Sequence, residues 1–410
     1  MYQEIDRCRI CGSDKLTSFL HLGTQALTGV FPKQGDAQPA AGPLELCMCG
    51  GECGLVQLRH SYNLSDLYGE HYGYRSGLNQ SMVDHLREKV ASFARFVSLA
   101  ENDIIVDIGS NDGTTLGFYP DFLRRIGFDP SAAKFSHYYK PGIELVTDFF
   151  NAETFRSRFG SEKARIITSI AMFYDLEDPQ TFVDQIASML APDGIWHFEQ
   201  SYMPTMLEAN AYDTICHEHL EYYGLKQIKF MTDKAGLKII DICFNAINGG
   251  SFAVTVARKE APQPEAEALV RDILNQEEAL GLNTIEPFTA FAKRTEQHRE
   301  ALLEHLADFR AQGKKVFGYG ASTKGNVILQ YCGITAKDIS CIAEVNESKF
   351  GCVTPGSGIP IVSEAEAKLQ KPDIFFVLPW HFKENLLSRE RAFLAQGGKM
   401  FFPLPFFDLQ

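Results

Sequence analysis

Between Phe198 and Tyr223 the chain concentrates groups that can move protons: Glu199, Asp213, Cys216-His217-Glu218-His219, Glu221, Tyr222 and Tyr223. A histidine can accept a proton, a neighbouring carboxylate can orient it, and a tyrosine hydroxyl can donate to an oxyanion as it forms. By type, His219, Glu218, Tyr222 and Cys216 make a candidate acid–base constellation. Two other readings use the same residues. Cys216, His217 and His219 could ligate a metal, but residues two apart do not share a helix face, so an extended segment and a fourth ligand from elsewhere would be needed. Each histidine could equally be satisfied by backbone. Residue types leave all three readings open.

The elements that must hold these groups are readable upstream. A strand over 194–199 feeds the segment, and α/β sheets hold their chemistry beyond the carboxyl ends of strands. Earlier, Asp103-Ile-Ile-Val-Asp107-Ile-Gly109-Ser-Asn111-Asp112-Gly113 reads as a buried strand, a Gly-rich turn and then a helix. The glycines would let backbone approach a ligand closely. Asp129 ends the next strand, where it could accept from two ribose hydroxyls. Strands follow over 143–146, running into Thr147-Asp148-Phe149, and over 164–169, with a helix over 178–190. The alternation predicts a doubly wound α/β domain. A nicotinamide site would ask for G-x-G-x-x-G, and this turn has only Gly109 and Gly113. With Asp107 on the strand, facing a cationic amino-acid end, S-adenosylmethionine is the better fit. Asp107, Gly109, Asn111, Asp112, Gly113, Asp129, Asp148 and Phe149 are therefore expected around that cofactor.

Ahead of this domain lies a cysteine cluster. Cys8-Arg-Ile-Cys11-Gly is a regular knuckle, and Cys47-Met-Cys49-Gly-Gly-Glu-Cys53-Gly offers a second. Two such turns brought together give four thiolates around a zinc ion. Cys8, Cys11 and Cys53 are unambiguous, and Cys49 is preferred over Cys47 because a C-x3-C spacing can close a turn. Four thiolates leave no open coordination position, so the zinc would be structural. Five of the ten cysteines crowd into the first 53 residues, a pattern of ligands and core residues in a reducing cytoplasm rather than of disulfides.

After a closing strand near 249–257 the chain turns helical and charged over 264–312, expected to be a connector with solvated faces and no chemistry. Gly318-Tyr-Gly320-Ala-Ser322-Thr-Lys324-Gly325-Asn326 then repeats the strand, Gly-turn, helix pattern, with strands over 339–344 and 373–378. It is not a Walker loop, because Asn326 follows Gly325 in place of Lys-Ser/Thr. Its amides, Ser322 and Lys324 could hold a pyrophosphate at the helix start. A nicotinamide site with Glu344 on the ribose, and a turn used only for packing, are the rival readings.

Composition bounds the whole. The 410 residues carry 39 Lys+Arg against 52 Asp+Glu, a net charge of −13, which lacks the positive field that nucleic acid requires. No apolar run is long enough to span a bilayer, and the first residues do not form a secretory signal. The boundaries expected are a zinc-binding domain over 1–60, a cofactor domain over 61–260, and a helical connector plus smaller α/β domain over 261–410. No heptad or apolar edge announces an oligomer.

In order and combination these motifs resemble the C-methyltransferases that act on nucleotide-linked 4-keto-6-deoxy sugars. The resemblance runs the length of the chain. It is carried by Cys-Gly-Leu-Val-Gln57-Leu, Tyr72-Gly-Tyr74-Arg-Ser76, Val106-Asp-Ile-Gly-Ser-Asn-Asp-Gly113, Tyr212-Asp-Thr-Ile-Cys-His-Glu-His219, Gly318 to Asn326, and Pro355-Gly-Ser-Gly-Ile-Pro-Ile361. It implies three domains: zinc-binding, S-adenosylmethionine-binding, and a C-terminal domain that helps hold the sugar nucleotide. Tyr72, Tyr74, Ser322, Lys324 and Asn326 would face that substrate. His219 would be the base that makes an enolate, Glu218 would tune it, and Tyr222 or Tyr74 would donate to the enolate oxygen. Two positions depart from the family pattern: Cys216 stands where a Tyr is common, and Asp175 where a His is common. A keto-sugar enzyme that deprotonates without methylating, and a non-enzymatic sugar-nucleotide-binding module, are the alternatives.

Overall fold

The computed structural model describes residues 2–63, 67 and 75–410. Tyr72 and Tyr74 lie outside them. Three principal sheets organise the chain. The first has four antiparallel strands in the order Glu221–Tyr222, Val56–Leu58, Ala41–Cys49, Leu16–Ala26. Leu44, Leu46 and Leu58 are fully buried beneath it. Its outermost strand comes from the middle of the chain, with Glu221 opposite Gln57 and Tyr222 opposite Val56.

The central sheet runs Leu237–Asn245, Ser251–Arg258, Leu190–Ser201, Ala164–Ile170, Ile104–Ile108, Arg124–Phe128, Ile143–Val146. Only Ser251–Arg258 runs against the rest. Ile104–Ile108 is buried at every position, as a strand covered on both faces must be. Strand order reverses between it and Ala164–Ile170, which opens a crevice at their carboxyl ends.

The helix expected after Gly113 does not form. The chain makes only a 3₁₀ turn, Leu116–Phe118, before the next strand. Asp112, Thr114, Thr115 and Gly117 are weak helix formers, and Pro120 lacks the amide a second turn would need.

The third sheet runs Ile361–Ser363, Ile342–Glu344, Val316–Tyr319, Ile374–Val377, Lys399–Phe402, Asp408–Leu409, parallel except for the last strand. Here the Gly turn does open a helix, Thr323–Cys332, whose start is capped by Ser322 Oγ accepting from Gly325 N at 3.0 Å.

The connector is helical, as expected, over Glu267–Ala279 and Glu286–Ala311, but it is not merely solvated. Phe288, Phe291 and Leu302 are fully buried. Glu277 accepts from the Leu225 and Lys226 amides at 2.5 and 3.1 Å and from Tyr202 at 2.9 Å, closing the start of helix Leu225–Lys234. Packing crosses the expected boundaries. Leu20, Leu46 and Leu58 share one core with the third sheet, whereas Cys8, Cys49 and Leu55 pack into the core of the central one. Among the described residues no helix is long and apolar enough to cross a membrane.

Candidate active site

His219 lies on a short link between the 3₁₀ turn Tyr212–Thr214 and strand Glu221–Tyr222. Its Nδ1–H donates to the Thr214 carbonyl at 2.8 Å. A carbonyl can only accept, so Nδ1 carries the proton and Nε2 keeps its lone pair. The link is tied to the end of strand Ala164–Ile170 by the Leu220 and Glu221 amides, which donate to Tyr174 O at 2.8 and 3.1 Å. The Tyr174 ring meets His219 edge to face, centroids 4.3 Å apart. Tyr174, Ser201, Thr214, Glu221 and Tyr222 line a small cavity with His219. Burial pushes His219 down to about 4; the Thr214 hydrogen bond opposes this, and the Lys324 cation adds to it. The imidazole is therefore neutral near pH 7.

Tyr222 presents a buried hydroxyl with no hydrogen-bond partner among the described residues. Cys216 and Glu218 share a hydrogen bond, and burial raises both, the Cys216 thiol well above its usual range. Glu218 points to the N-terminal domain: a methyl group added at Gly29 would lie 2.5 Å from its Oε1 and 3.7 Å from Thr323 Oγ1. The charge of Asp175 reaches Cys216, Glu221 and Tyr222. His217 leaves the site altogether: it is fully buried, donates through Nε2 to Gly42 O at 3.4 Å and packs on Tyr62. The chain turns between Cys216 and His219, whose amide donates back to Cys216 O, so the two histidines part. That disposes of the metal reading for this segment.

Sequence reasoning missed Tyr174, Thr214 and Glu221. Thr214 acts through its backbone, which no residue type announces. Glu221 stood in the titratable run but gained no role. It is fully buried, with Arg9 Nε 3.7 Å from its carboxylate.

In the crevice, Asp107 accepts from Thr168 Oγ1 at 2.5 Å, and burial raises it to about 7. Gly109 and Gly113 both have φ near +74°, and a Cβ at Gly113 would strike the Tyr139 ring at 2.8 Å. Asn111 Oδ1 accepts from Ser76 N and Asp112 Oδ2 from Gly77 N, both at 2.9 Å, so these side chains hold 76–77 beside the turn. Asp129 accepts from Asn111 N at 2.8 Å and from Ser131 N and Oγ at 2.7 and 2.6 Å. A carboxylate has about four acceptor directions, which leaves room for one ribose hydroxyl where two were expected. Asp148 accepts from Phe149 N at 2.7 Å, and Phe149 is 45% exposed. These groups suit S-adenosylmethionine: an acid at the cationic end, an acceptor at the ribose, an exposed aromatic residue beyond.

Across from His219, the third domain contributes Lys324, whose Nζ donates to Asn248 O at 2.7 Å. Ser322 is occupied as the helix cap. Asn326 is fully buried and donates to Thr28 O at 2.8 Å, so it joins two domains. Glu344 accepts from the Ala321, Val345 and Asn346 amides at 2.7 to 2.9 Å, which ties the turn down.

Behind Glu221, which Arg9 approaches at 3.7 Å, the sulfurs of Cys8, Cys11, Cys49 and Cys53 all lie within 4.8 Å of one another. Adjacent pairs are 3.4 to 3.5 Å apart, close to the roughly 3.8 Å edge of a tetrahedron with zinc–sulfur bonds of about 2.3 Å. Cys47 is not among them; its thiol donates to Gln57 O at 3.5 Å. The donor set fits zinc.

Comparison with known proteins then places the chain. Three family profiles match in succession: a zinc binding domain over 8–68, a methyltransferase domain over 82–242 and a C-methyltransferase C-terminal domain over 246–405. The C-methyltransferase NovU of Streptomyces niveus is 31% identical over 409 residues, spanning 98% of this chain and 96% of NovU. The chain belongs to the C-methyltransferase family. The enzyme is thus an S-adenosylmethionine-dependent C-methyltransferase of class I with a structural zinc. Two solved structures resemble it over less than half its length. A chain of the Haloferax volcanii complex of the Trm112 methyltransferase activator with a methyltransferase aligns at 18% identity and TM-score 0.37, covering 44% of this chain and 94% of that one. An S-adenosylmethionine-dependent methyltransferase of Anabaena variabilis aligns at 16% and 0.32, covering 42% and 84%.

Proposed function

We propose that the enzyme methylates carbon on a nucleotide-linked 4-keto-6-deoxy sugar, at a position next to the keto group. The family resemblance supports the substrate class, and one observation supports the chemistry: His219, fixed by its Nδ1–H bond to Thr214 O, keeps a basic Nε2 at a cavity shared with the unpartnered Tyr222 hydroxyl. A proton on carbon beside a ketone is acidic enough for a positioned base once the enolate is stabilised. His219 takes that proton, and Tyr222 donates to the oxygen. Glu218, raised by burial, shapes the sugar-facing wall with Cys216 and Asp175. Tyr72 and Tyr74 keep the substrate-facing role that the family pattern implies.

S-adenosylmethionine supplies an electrophilic methyl group on a sulfonium. Asp107, the 109–113 turn and Asp129 hold its amino-acid and ribose ends, with Asp148 and Phe149 at the base. Cys8, Cys11, Cys49 and Cys53 hold the zinc, which takes no part in the reaction.

The test is a mass-spectrometric assay in deuterated water with S-adenosylmethionine and a panel of nucleotide-linked 4-keto sugars. The expected result is a new methyl on carbon, reduced about 1,000-fold or more in His219→Asn. Methylation undiminished in that variant removes His219 as the base. Deuterium uptake without methyl gain moves the enzyme to the deprotonation-only class.

A further inference from the structure

A base held as low as His219 removes a carbon-bound proton only where the enolate is strongly stabilised, and Cys216, three residues before it, is a thiol and a weak donor. The compensating group comes from the C-terminal domain. We propose that Lys324 is the electrostatic stabiliser of the enolate oxygen, not an anchor for the substrate diphosphate, so that the base and its counter-charge are supplied from two domains across one cleft.

The placement follows from the packing. Helix Thr323–Cys332 lies against the 3₁₀ turn Tyr212–Thr214, the same turn whose Thr214 carbonyl fixes His219. Its first residue, Thr323, converges with Glu218 at Gly29. Lys324 is anchored by Asn248 O, a neutral acceptor, and among the described residues no carboxylate lies within 4.0 Å of its ammonium. No ion pair among these residues holds the ammonium; burial lowers Lys324, and the Asp213 carboxyl and Cys216 act to keep its proton on. That charge reaches His219, Asp213, Cys216 and His381. Asp213 has one oxygen fixed by Trp380 Nε1 at 2.7 Å.

A diphosphate carries two charges and asks for more than one cation. Burial keeps both His219 and His381 neutral; the other lysine at this turn, Lys349, is anchored on Ala321 O at 2.7 Å, and Lys324 is the cation whose charge acts on His219. One ammonium matches a single charge that develops on one oxygen.

In the step itself, the His219 Nε2 lone pair takes the proton from the carbon next to the ketone. The C–H pair becomes the C=C bond, and the carbonyl π pair moves to oxygen beside the Lys324 ammonium. That pair then returns to re-form the carbonyl as the carbon takes the methyl, the C–S pair stays on sulfur, and the imidazolium loses its proton to solvent.

This inference rests on the keto-sugar reading, and the experiment separates the two. Solvent deuterium wash-in at the reacting carbon is measured with S-adenosylhomocysteine bound, for wild type, Lys324→Met and Lys324→Arg, after zinc content and circular dichroism establish folding. Lys324→Met is expected to lose about 100-fold in kcat with KM for the sugar nucleotide nearly unchanged, and Lys324→Arg to recover much of it. In the ligand-free protein the His219 ring titration, followed by NMR, should move upward in Lys324→Met and stay in place in Lys324→Arg. Among the described residues, Lys324, Tyr174, Glu221 and Tyr222 are the titratable groups around this ring, and only the first changes.

A raised KM with unchanged kcat returns Lys324 to the diphosphate and overturns the proposal. So does a His219 titration that does not move. Should Lys324→Met not fold, Lys324→Gln takes the same measurements. Wild-type enzyme that exchanges no deuterium with any keto sugar overturns the keto-sugar reading and this inference with it, whereas exchange equal in wild type and Lys324→Met overturns this inference alone.

Discussion

The two Gly turns of this enzyme are written in the same sequence grammar and wired in the same way, yet they do different work. After Ile104–Ile108, the acid ending the neighbouring strand, Asp129, accepts from the turn amide of Asn111 at 2.8 Å. After Val316–Tyr319, the acid ending the neighbouring strand, Glu344, accepts from the turn amide of Ala321 at 2.7 Å. An acid at the tip of the second strand is therefore first of all a clamp on the turn, and by itself it does not report a ribose site. The two turns differ in the element each one leads into. The first continues into a 3₁₀ turn and leaves an open crevice; the second continues into a capped helix that delivers Lys324 to the cleft.

The widest separation should appear when the two acids are removed. Asp129→Ala should weaken S-adenosylmethionine binding about 10- to 100-fold by calorimetry, the worth of one charged hydrogen bond at the ribose. Glu344→Ala should leave that affinity unchanged and lower stability by about 1–3 kcal/mol in denaturant unfolding, because one buried and two part-buried amides lose their acceptor. Equal effects on affinity would erase the distinction.

The pH dependence should come next in size. Burial raises Asp107 to about 7, with Thr168 opposing and Asp129 adding. Its folded value lies above its unfolded one of about 4, so its contribution to stability falls as pH climbs from about 4 to about 7 and is flat outside that window. The cationic cofactor favours the ionised form, so affinity should rise across pH 6–8 and release a proton. Asp107→Asn should flatten both curves.

The smallest effect belongs to the helix start. Ser322→Ala should cost about 1 kcal/mol in thermal or denaturant unfolding, with no change in KM for the sugar nucleotide. A large rise in KM would show that the Ser322 hydroxyl holds the substrate as well as the cap.

Much of this was legible in the residues, for reasons that differ from place to place. Cysteine spacing located both knuckles, because a metal turn is a local object. The C-x3-C spacing also favoured Cys49 over Cys47, and the cluster, closed across 38 to 45 residues, takes Cys49. The strands of the central sheet follow from runs such as Ile104-Ile-Val-Asp-Ile108, buried on both faces. The missing helix after Gly113 was signalled by Pro120, and the strand–turn–helix template outweighed it. The tautomer of His219 was not legible, since a backbone carbonyl fixes it. Nor was the two-residue strand Glu221–Tyr222, which is too short to carry a period and exists because Val56–Leu58 leaves an edge to be filled.

That small strand has a consequence for how such enzymes can be recombined. A cut near residue 60 or 260 looks like a clean joint between modules, but it would part the zinc-bearing sheet from the strand that follows the base. It would also leave Thr28 without Asn326. Chimeras meant to exchange sugar preference among relatives would inherit mismatched seams at both places. The unit that can be transplanted intact is larger than any one domain: it is the cleft together with the three surfaces stitched around it.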